Sequence, residues 1–556
     1  MTEQVRPTLS SALDAFYDRE LAHPDKTYLV QPLADGSVES FSWAQVGDQA
    51  RRMAAYLGTL GLATGSHIGL LSRNCAHWII ADLAIWMAGH VSVPVYPTLT
   101  ADSVRQVVDH ADCRAMFIGK LDDWQALRSG IPADIPWIAL PLSPEDPNLL
   151  PWQSLIDANE PVSGRRTVQS DDLATIIYTS GTSGLPKGAM LSFGSMYYAA
   201  NNGLRLFNIS EDDRLLSYLP LSNVAERQFI EIASLLAGQT VYFVHSPETF
   251  VADNCRARPT VFFGVPRIWL KLQQSVLQKL PASALNTALK VPLLGSGVAA
   301  RILKRLGFDQ LRYAVSGAAP IDDQLLLWYH RLDMNLVEIY GMTENCGYSH
   351  LGRPKRFKSG WIGLPNPGVE CRLSEEGELL VRSPATMLGY YKDPARTSEA
   401  IDEHGFLHTG DCGEIDRDGF LRITGRRKDI FKTSKGRYVA PAPIEKQLLA
   451  HPFIEHACVV GTHLPQPVAL IQLSEFATAG LNPARVEEGL SAALLELNGR
   501  LNRQEQLACL VVIGDEWSVQ NGFLTPTQKL KRHVVEATYS DRLEFWSVSG
   551  RTVVVQ

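Results

Sequence analysis

Between residues 42 and 118 the chain repeats one pattern three times: a helical run, then a short apolar strand. Ser42 and Gln45 form an S-x-x-Q capping box that starts the first helix. Val46, Ala50, Met53, Leu57 and Leu60 then recur at helical spacing, and Gly61 ends the run. A strand is expected at 68–71, a helix at 76–88 and a strand at 91–95. Val104, Val107, Val108 and Ala111 mark the next helix, with a strand at 115–118. Strands joined through helices lie parallel, because the crossover returns the chain to the same end of the sheet. The class is therefore α/β. The most apolar stretch, 78–95, contains Asp82, Gly89, His90 and Pro94, which predicts a buried helix and strand rather than a membrane span.

The alternation resumes at 173–177, 240–244, 260–265, 311–315 and 336–339. Several of these strands run into Gly-rich turns: TSGTSG, GVP, SGAAP and YGMTE. Open parallel sheets bind ligands beyond the carboxyl ends of their strands. After about residue 370 short β-rich pieces follow, GELLVRS and DGFLRIT, as in a β-barrel-like part. Past the charged GRRKD at 425–429 lies a smaller α+β region, with helices at 444–449 and 486–497 and strands at 457–460 and 468–473. A chain of 556 residues is too long for one ordinary core. Two domains are expected: a large one of parallel-rich sheets and helices over 1–427, and a small C-terminal lid over 428–556.

Lys and Arg total 52 against 59 Asp and Glu, a net charge of -7, which argues against nucleic acid as the main partner. The eight cysteines are scattered without a C-x-x-C pair, so neither zinc nor a disulfide framework is expected. The opening MTEQVRPTLSSAL has no basic region followed by an apolar core, unlike a secretory signal. A cytoplasmic protein is expected. Attachment to a membrane surface and a homodimer are both compatible with this composition.

The stretch YTSGTSGLPKG, 178–188, combines glycines, hydroxyls and a lysine after an apolar strand. Backbone N–H groups in such a turn converge on an anion. Thr179, Ser180, Thr182 and Ser183 add hydroxyls, Gly181 and Gly184 let the backbone turn, and Lys187 adds charge. A Walker A loop is excluded: Pro186 replaces its second glycine, and Gly188 stands where Ser or Thr should hold Mg²⁺.

The loop resembles the phosphate loop of the adenylate-forming superfamily. Further signatures follow in that family's order: SGAAP at 316–320, YGMTE at 340–344, LHTGD at 407–411, TGRRKD at 424–429 and LTPTQKLKR at 524–532. YLPLSNVAER at 218–227, RPTVFFGVPRIW at 258–269 and KTSKGRYVAPAPIE at 432–445 look most like bacterial long-chain fatty acyl-CoA synthetases. The resemblance covers nearly the whole chain.

That resemblance implies a two-step reaction with ATP, Mg²⁺ and CoA: a fatty acid becomes acyl-AMP with release of pyrophosphate, then acyl-CoA with release of AMP. It implies that Thr179–Gly184 and Lys187 hold the β- and γ-phosphates, Thr343 contacts the α-phosphate and Glu344 binds Mg²⁺. Tyr340, with Gly341 beside it, stacks on adenine, and the backbone of Ser316, Gly317 and Ala318 lines the base. Asp411 accepts from the ribose hydroxyls and Arg426 contacts ribose or phosphate. Lys529 bridges the carboxylate and the α-phosphate, as a compact point charge with three donors can. Lys428 is the hinge about which the small domain turns between the steps. Asn223, Val224, Gly264, Val265 and Gly347 are candidates for the acyl pocket.

The chain departs from the family pattern at three places. Asn223 and Phe193 stand where many members carry histidine, and Lys435 interrupts a turn where many have two glycines. Another acid (aryl or terpenoid), or transfer to a carrier protein, is the nearest alternative. A simple NTPase or a nucleotide-binding regulator is the alternative of a different class.

Overall fold

The computed structural model describes residues 11–179, 186–291, 294–353, 356–478 and 482–556. The pattern read at 42–118 folds as expected. The helix Trp43–Thr59 starts on a reciprocal capping box between Ser42 and Gln45. The strands His67–Leu71, Val91–Val95 and Cys113–Ile118 pair in parallel, with His67–Leu71 in the middle. The helix Ala76–Met87 is buried on every face. Its one acid, Asp82, is neutralised inside by Arg227, whose guanidinium donates to it at 2.6 Å.

These strands are the centre of an eight-stranded sheet. Leu173–Thr179 joins it in parallel beside Val91–Val95. The chain then turns back: Lys187–Ser192 lies antiparallel to Leu173–Thr179, with Thr179 opposite Lys187. The Gly-rich stretch therefore connects two antiparallel strands. Gly389–Tyr390 adds an edge strand, with Tyr390 opposite Ala189.

A five-stranded sheet holds Val261–Gly264, Tyr313–Ser316 and Leu336–Tyr340 in parallel, with His350–Leu351 and Leu364–Pro365 antiparallel at its edge. A four-stranded sheet joins Arg214–Ser217 and Thr240–Phe243 to the N-terminal Thr27–Pro32 and Val38–Ser42. The β-rich part is an antiparallel sheet of Glu370–Leu373, Glu378–Arg382, Leu407–Ile415 and Leu421–Arg426.

The hydrophobic cores divide along the chain. The largest gathers residues from Ala12 to Leu421, whereas two others begin at Phe431 and Cys458 and draw only on the C-terminal part. That part is a sheet of Ile454–Val460, Val468–Leu473, Leu510–Val512 and Val553–Val555, with the helices Pro441–Leu449, Pro483–Arg500 and Arg532–Ser547. No helix among the described residues is long and apolar enough to cross a membrane. All eight cysteines are free.

Candidate active site

Two parallel strands of the five-stranded sheet deliver the first part of the site. Tyr313–Ser316 ends at Ser316, whose buried Oγ has no protein partner among the described residues. Gly317 follows because nothing larger fits: a Cβ there would lie 2.6 Å from Ile339 Cγ2. Ala318 takes a left-handed φ of 67°, turning the backbone across the strand end. The neighbouring strand Leu336–Tyr340 ends at Tyr340 and turns at Gly341. A Cβ on Gly341 would lie 2.3 Å from the carbonyl carbon of Gly347, so two backbone turns pack directly together. Between them Thr343–Asn345 forms a short 3₁₀ turn, fixed by Asn345 Oδ1, which accepts from the Met342 N–H at 2.9 Å. That turn holds Thr343 and Glu344 over the strand ends.

Glu344 is buried, and its Oε1 accepts from Tyr390 Oη at 2.7 Å. Lys187 stands over the ring of the same tyrosine, with Nζ 5.0 Å from its centroid. Partial burial pulls the Lys187 pKa down, Arg396 pulls it further, and the Glu344 carboxylate opposes them. Tyr390 thus joins Lys187 to the acid of the YGMTE turn. Thr179 ends the strand before the loop. Ser180, Gly181, Thr182, Ser183 and Gly184 lie outside the described residues.

Asp411 comes from the antiparallel sheet, where it lies opposite Arg426. Its Oδ2 accepts from Tyr340 Oη at 2.6 Å and its Oδ1 from Arg426 Nε at 3.1 Å. Thr409 Oγ1 accepts from the Asp411 N–H at 3.1 Å and donates to Leu379 O at 2.7 Å. The carboxylate is therefore fixed in place, and burial beside it raises the Tyr340 pKa well above a free phenol.

Lys529 arrives from the C-terminal sheet region on a tight hairpin. Leu524 pairs with Leu530, the Thr525 N–H donates to Lys529 O at 2.7 Å, and Gln528 takes a left-handed φ of 62°. Arg532 starts a helix and makes a two-pronged bond to Glu445 at 2.7 and 2.8 Å. Arg532 anchors the hairpin through this contact. Lys529 stays open to solvent, yet protein surrounds it. Burial and then Arg426 lower its pKa to about 8, while Asp411 and Glu344 act to raise it. Lys529 lies within electrostatic reach of Arg426, Asp411 and Glu344. Lys428 lies in the 3₁₀ turn Arg427–Asp429, directly after the strand that carries Arg426.

Comparison with known proteins matches this arrangement to a defined family. The AMP-binding enzyme family model matches residues 16–391, and the AMP-binding enzyme C-terminal domain model matches residues 428–545. The chain belongs to the AMP-binding enzyme family. With that membership comes a chemical class: AMP-forming ligation of a carboxylic acid to a thiol. Among relatives of this family member is the long-chain-fatty-acid–CoA ligase FadD15 of Mycobacterium bovis, 31% identical over 95% of each chain. The peroxisomal long chain acyl-CoA synthetase 6 of Arabidopsis thaliana is 29% identical, over 97% of this chain and 86% of that one. Among solved structures, an anthranilate CoA ligase bound to anthranoyl-AMP superposes with a TM-score of 0.78 at 19% identity, covering 97% and 99% of the two chains. An adenylation–carrier didomain of a carboxylic acid reductase from Segniliparus rugosus gives 0.80 at 22% identity, covering 97% of this chain and 82% of that one. At that identity these structures show the shared fold.

Next to the nucleotide cleft of this AMP-binding enzyme lies a narrow apolar slot of about 70 Å³. Ala199, Gly203, Phe207, Phe229, Val315 and Ile339 form much of its wall, and Gly347 lies on it too. The other four acyl-pocket candidates have different surroundings. Asn223 caps a helical turn, its Oδ1 accepting from the Ala225 N–H at 2.9 Å, and Val224 packs into the main core. Gly264 lies against Trp269, whose Nε1 donates to its carbonyl at 3.1 Å, and Val265 precedes the helix Pro266–Leu277. Sequence reasoning missed Tyr390, Thr409 and the slot wall on the helix Phe193–Leu206. Tyr390 is brought in by sheet pairing, which leaves no local signal, whereas Thr409 lies within the LHTGD motif without a role assigned to it.

Proposed function

We propose that this enzyme activates a medium- to long-chain fatty acid with ATP, forming acyl-AMP and pyrophosphate, and transfers the acyl group to CoA. The observation that carries the reading is a juxtaposition: the Lys529 cation lies within electrostatic reach of Asp411, Arg426 and Glu344, with an apolar slot beside Gly347. Tyr340 offers a flat ring for adenine and Asp411 offers acceptors for the ribose hydroxyls. Arg426 and Thr343 meet the phosphate nearest the ribose, and Lys187 meets the outer phosphates. Both reactants of the first step are anions, so fixed cations aimed at the reacting phosphorus supply the main stabilisation. Lys529 lies between carboxylate oxygen and phosphorus and holds its proton throughout.

The residues fit a Mg²⁺ ion that arrives with the nucleotide. Among the described residues no group of three or more His, Cys, Asp or Glu could hold a metal. Mg²⁺ takes one or two carboxylates and completes its shell with phosphate oxygens and water. Glu344 is such a carboxylate, buried and oriented by Tyr390. The ion's contribution is charge neutralisation on the leaving pyrophosphate.

For the second step the segment from 428 onward turns about Lys428 and carries Lys529 away, so that CoA reaches the acyl carbonyl. The CoA thiol has a pKa of roughly 8.5, so some thiolate is present near neutral pH, and AMP leaves readily. The test is a panel of acids from acetate to long fatty acids, with aryl acids beside them, given ATP, Mg²⁺ and CoA. The reading expects AMP and acyl-CoA, with the highest kcat/KM among medium and long chains. ADP as the product, or aryl acids as the best substrates, would refute it.

A further inference from the structure

The slot is not uniformly apolar. Three amide side chains line it: Gln228, Gln239 and Asn366. They are only 5%, 1% and 3% exposed. Both polar atoms of the Gln228 amide, Gln239 Oε1 and Asn366 Oδ1 have no hydrogen-bond partner among the described residues. Buried polar groups in folded proteins are nearly always paired, so unpaired ones that line a cavity await what enters it.

Their placement follows the slot. Ile339, near the carboxyl end of its strand, and Gly347, in the turn that follows, stand at one end of the slot. Leu215 and Val261 lie at the starts of their strands, and Gln239 immediately precedes the strand Thr240–Phe243, so these three mark the far end. Gln228 lies on the π-helical turn Arg227–Ile232. Such turns carry one extra residue and recur at functional sites. This one is pinned from behind. Arg227 is fully buried, bonded to Asp82 at 2.6 Å and paired with Glu231 at 3.2 Å. With Arg227 held in the core, the next residue is fixed toward the slot.

An amide offers two donors and a two-lone-pair acceptor, complementary to a hydroxyl or an oxo group. A plain hydrocarbon would cover all three amides and pair none. We propose that the slot selects an acyl group bearing a hydroxyl or oxo oxygen well beyond its carboxyl, with Gln228 as the specificity-determining contact. This rests on the proposed acid-activating function and narrows its substrate class.

The experiment measures kcat/KM for AMP formation, with ATP, Mg²⁺ and CoA, on matched sets. These are a saturated acid, its mid-chain hydroxy and oxo derivatives, its mid-chain methyl-branched derivative as a shape control, and a hydroxylated polycyclic acid. At least one oxygenated acid is expected to exceed both the saturated and the methyl-branched acid by roughly tenfold or more, as when a site built for a hydrogen bond meets a substrate lacking it. Whether the linear or the ring acid leads identifies the carrier of the oxygen. Gln228→Met, close in length and without an amide, is expected to bring that ratio near one. An unchanged Tm shows that the variant is folded. A saturated acid used as well as every oxygenated one in the unaltered enzyme overturns the inference and leaves the acid-activating function standing. No AMP from any acid removes both.

Discussion

Tyr340 donates to one oxygen of Asp411 at 2.6 Å while Arg426 donates to the other at 3.1 Å. The two come from different sheets, so this one carboxylate ties the end of the strand Leu336–Tyr340 to the β-rich part. Each carboxylate oxygen keeps a further lone pair for a ribose hydroxyl. Tyr340→Phe keeps the ring and loses the tether. A hydrogen bond to a charged group contributes about 1.5–3 kcal/mol, so KM for ATP is expected to rise about tenfold or more. The proposed kcat effect is smaller, because the ring still stacks. Steady-state kinetics with varied ATP check this, and an unchanged KM would separate the tether from nucleotide binding.

Lys529 gives the pH dependence. Its pKa is lowered to about 8, chiefly by burial and then by Arg426. A lowered lysine pKa means that the cation is lost as pH rises through that value. Adenylation kcat/KM is therefore expected to fall above about pH 8. Pyrophosphate exchange without CoA reads this cleanly, since no thiol then titrates. Lys529→Arg keeps its charge and should remove the downturn, at a lower rate because the planar guanidinium fits the position poorly. Lys529→Ala should abolish adenylation and largely spare thioester formation from supplied acyl-AMP. A wild-type profile flat to pH 10 would count against the assignment.

Much of the frame was legible, for local reasons. The strands between 67 and 118 announce themselves because helix caps, helical spacing and short apolar runs agree with one another. Ser316–Ala318 and Tyr340–Glu344 were visible because strands run into Gly-containing turns there, and Asp411 because LHTGD resembles a family signature. The hairpin at Lys187–Ser192 was not, since KGAMLS has too little alternation to show as a strand. The π turn at Arg227–Ile232 leaves no compositional trace, because it is a change in hydrogen-bond register. Arg532 reads as one of three cations in KLKR, and only its contact with Glu445 sets it apart from Lys529. The slot draws its wall from elements scattered between Ala199 and Asn366, a relationship no local pattern encodes.

Glu344 and Tyr390 bear on metal use. Tyr390 holds Glu344 Oε1 at 2.7 Å and so sets where the carboxylate points. Tyr390→Phe should raise the Mg²⁺ concentration for half-maximal adenylation several-fold while leaving the ring under Lys187. Glu344→Gln should raise it further and lower the maximal rate. Mg²⁺ titrations at fixed ATP distinguish the two, and identical curves for all three proteins would detach Glu344 from the metal.

Gly203 tests the slot itself. It lies within the helix Phe193–Leu206 and on the slot wall, and a Cβ added there meets no atom within 4 Å. A leucine side chain at this position has room and is expected to narrow the slot proposed for the acyl chain. Each methylene that the slot can no longer bury forfeits about 0.8 kcal/mol of binding. Gly203→Leu is expected to shift the preferred acid to a shorter chain, with kcat/KM for the longest acids falling about tenfold or more and that for short acids little changed. Stability should not suffer, since leucine is favoured over glycine in a helix by up to about 0.8 kcal/mol. A thermal melt and a chain-length series check both halves. An unaltered chain-length profile in a well-folded variant would place the acyl chain elsewhere.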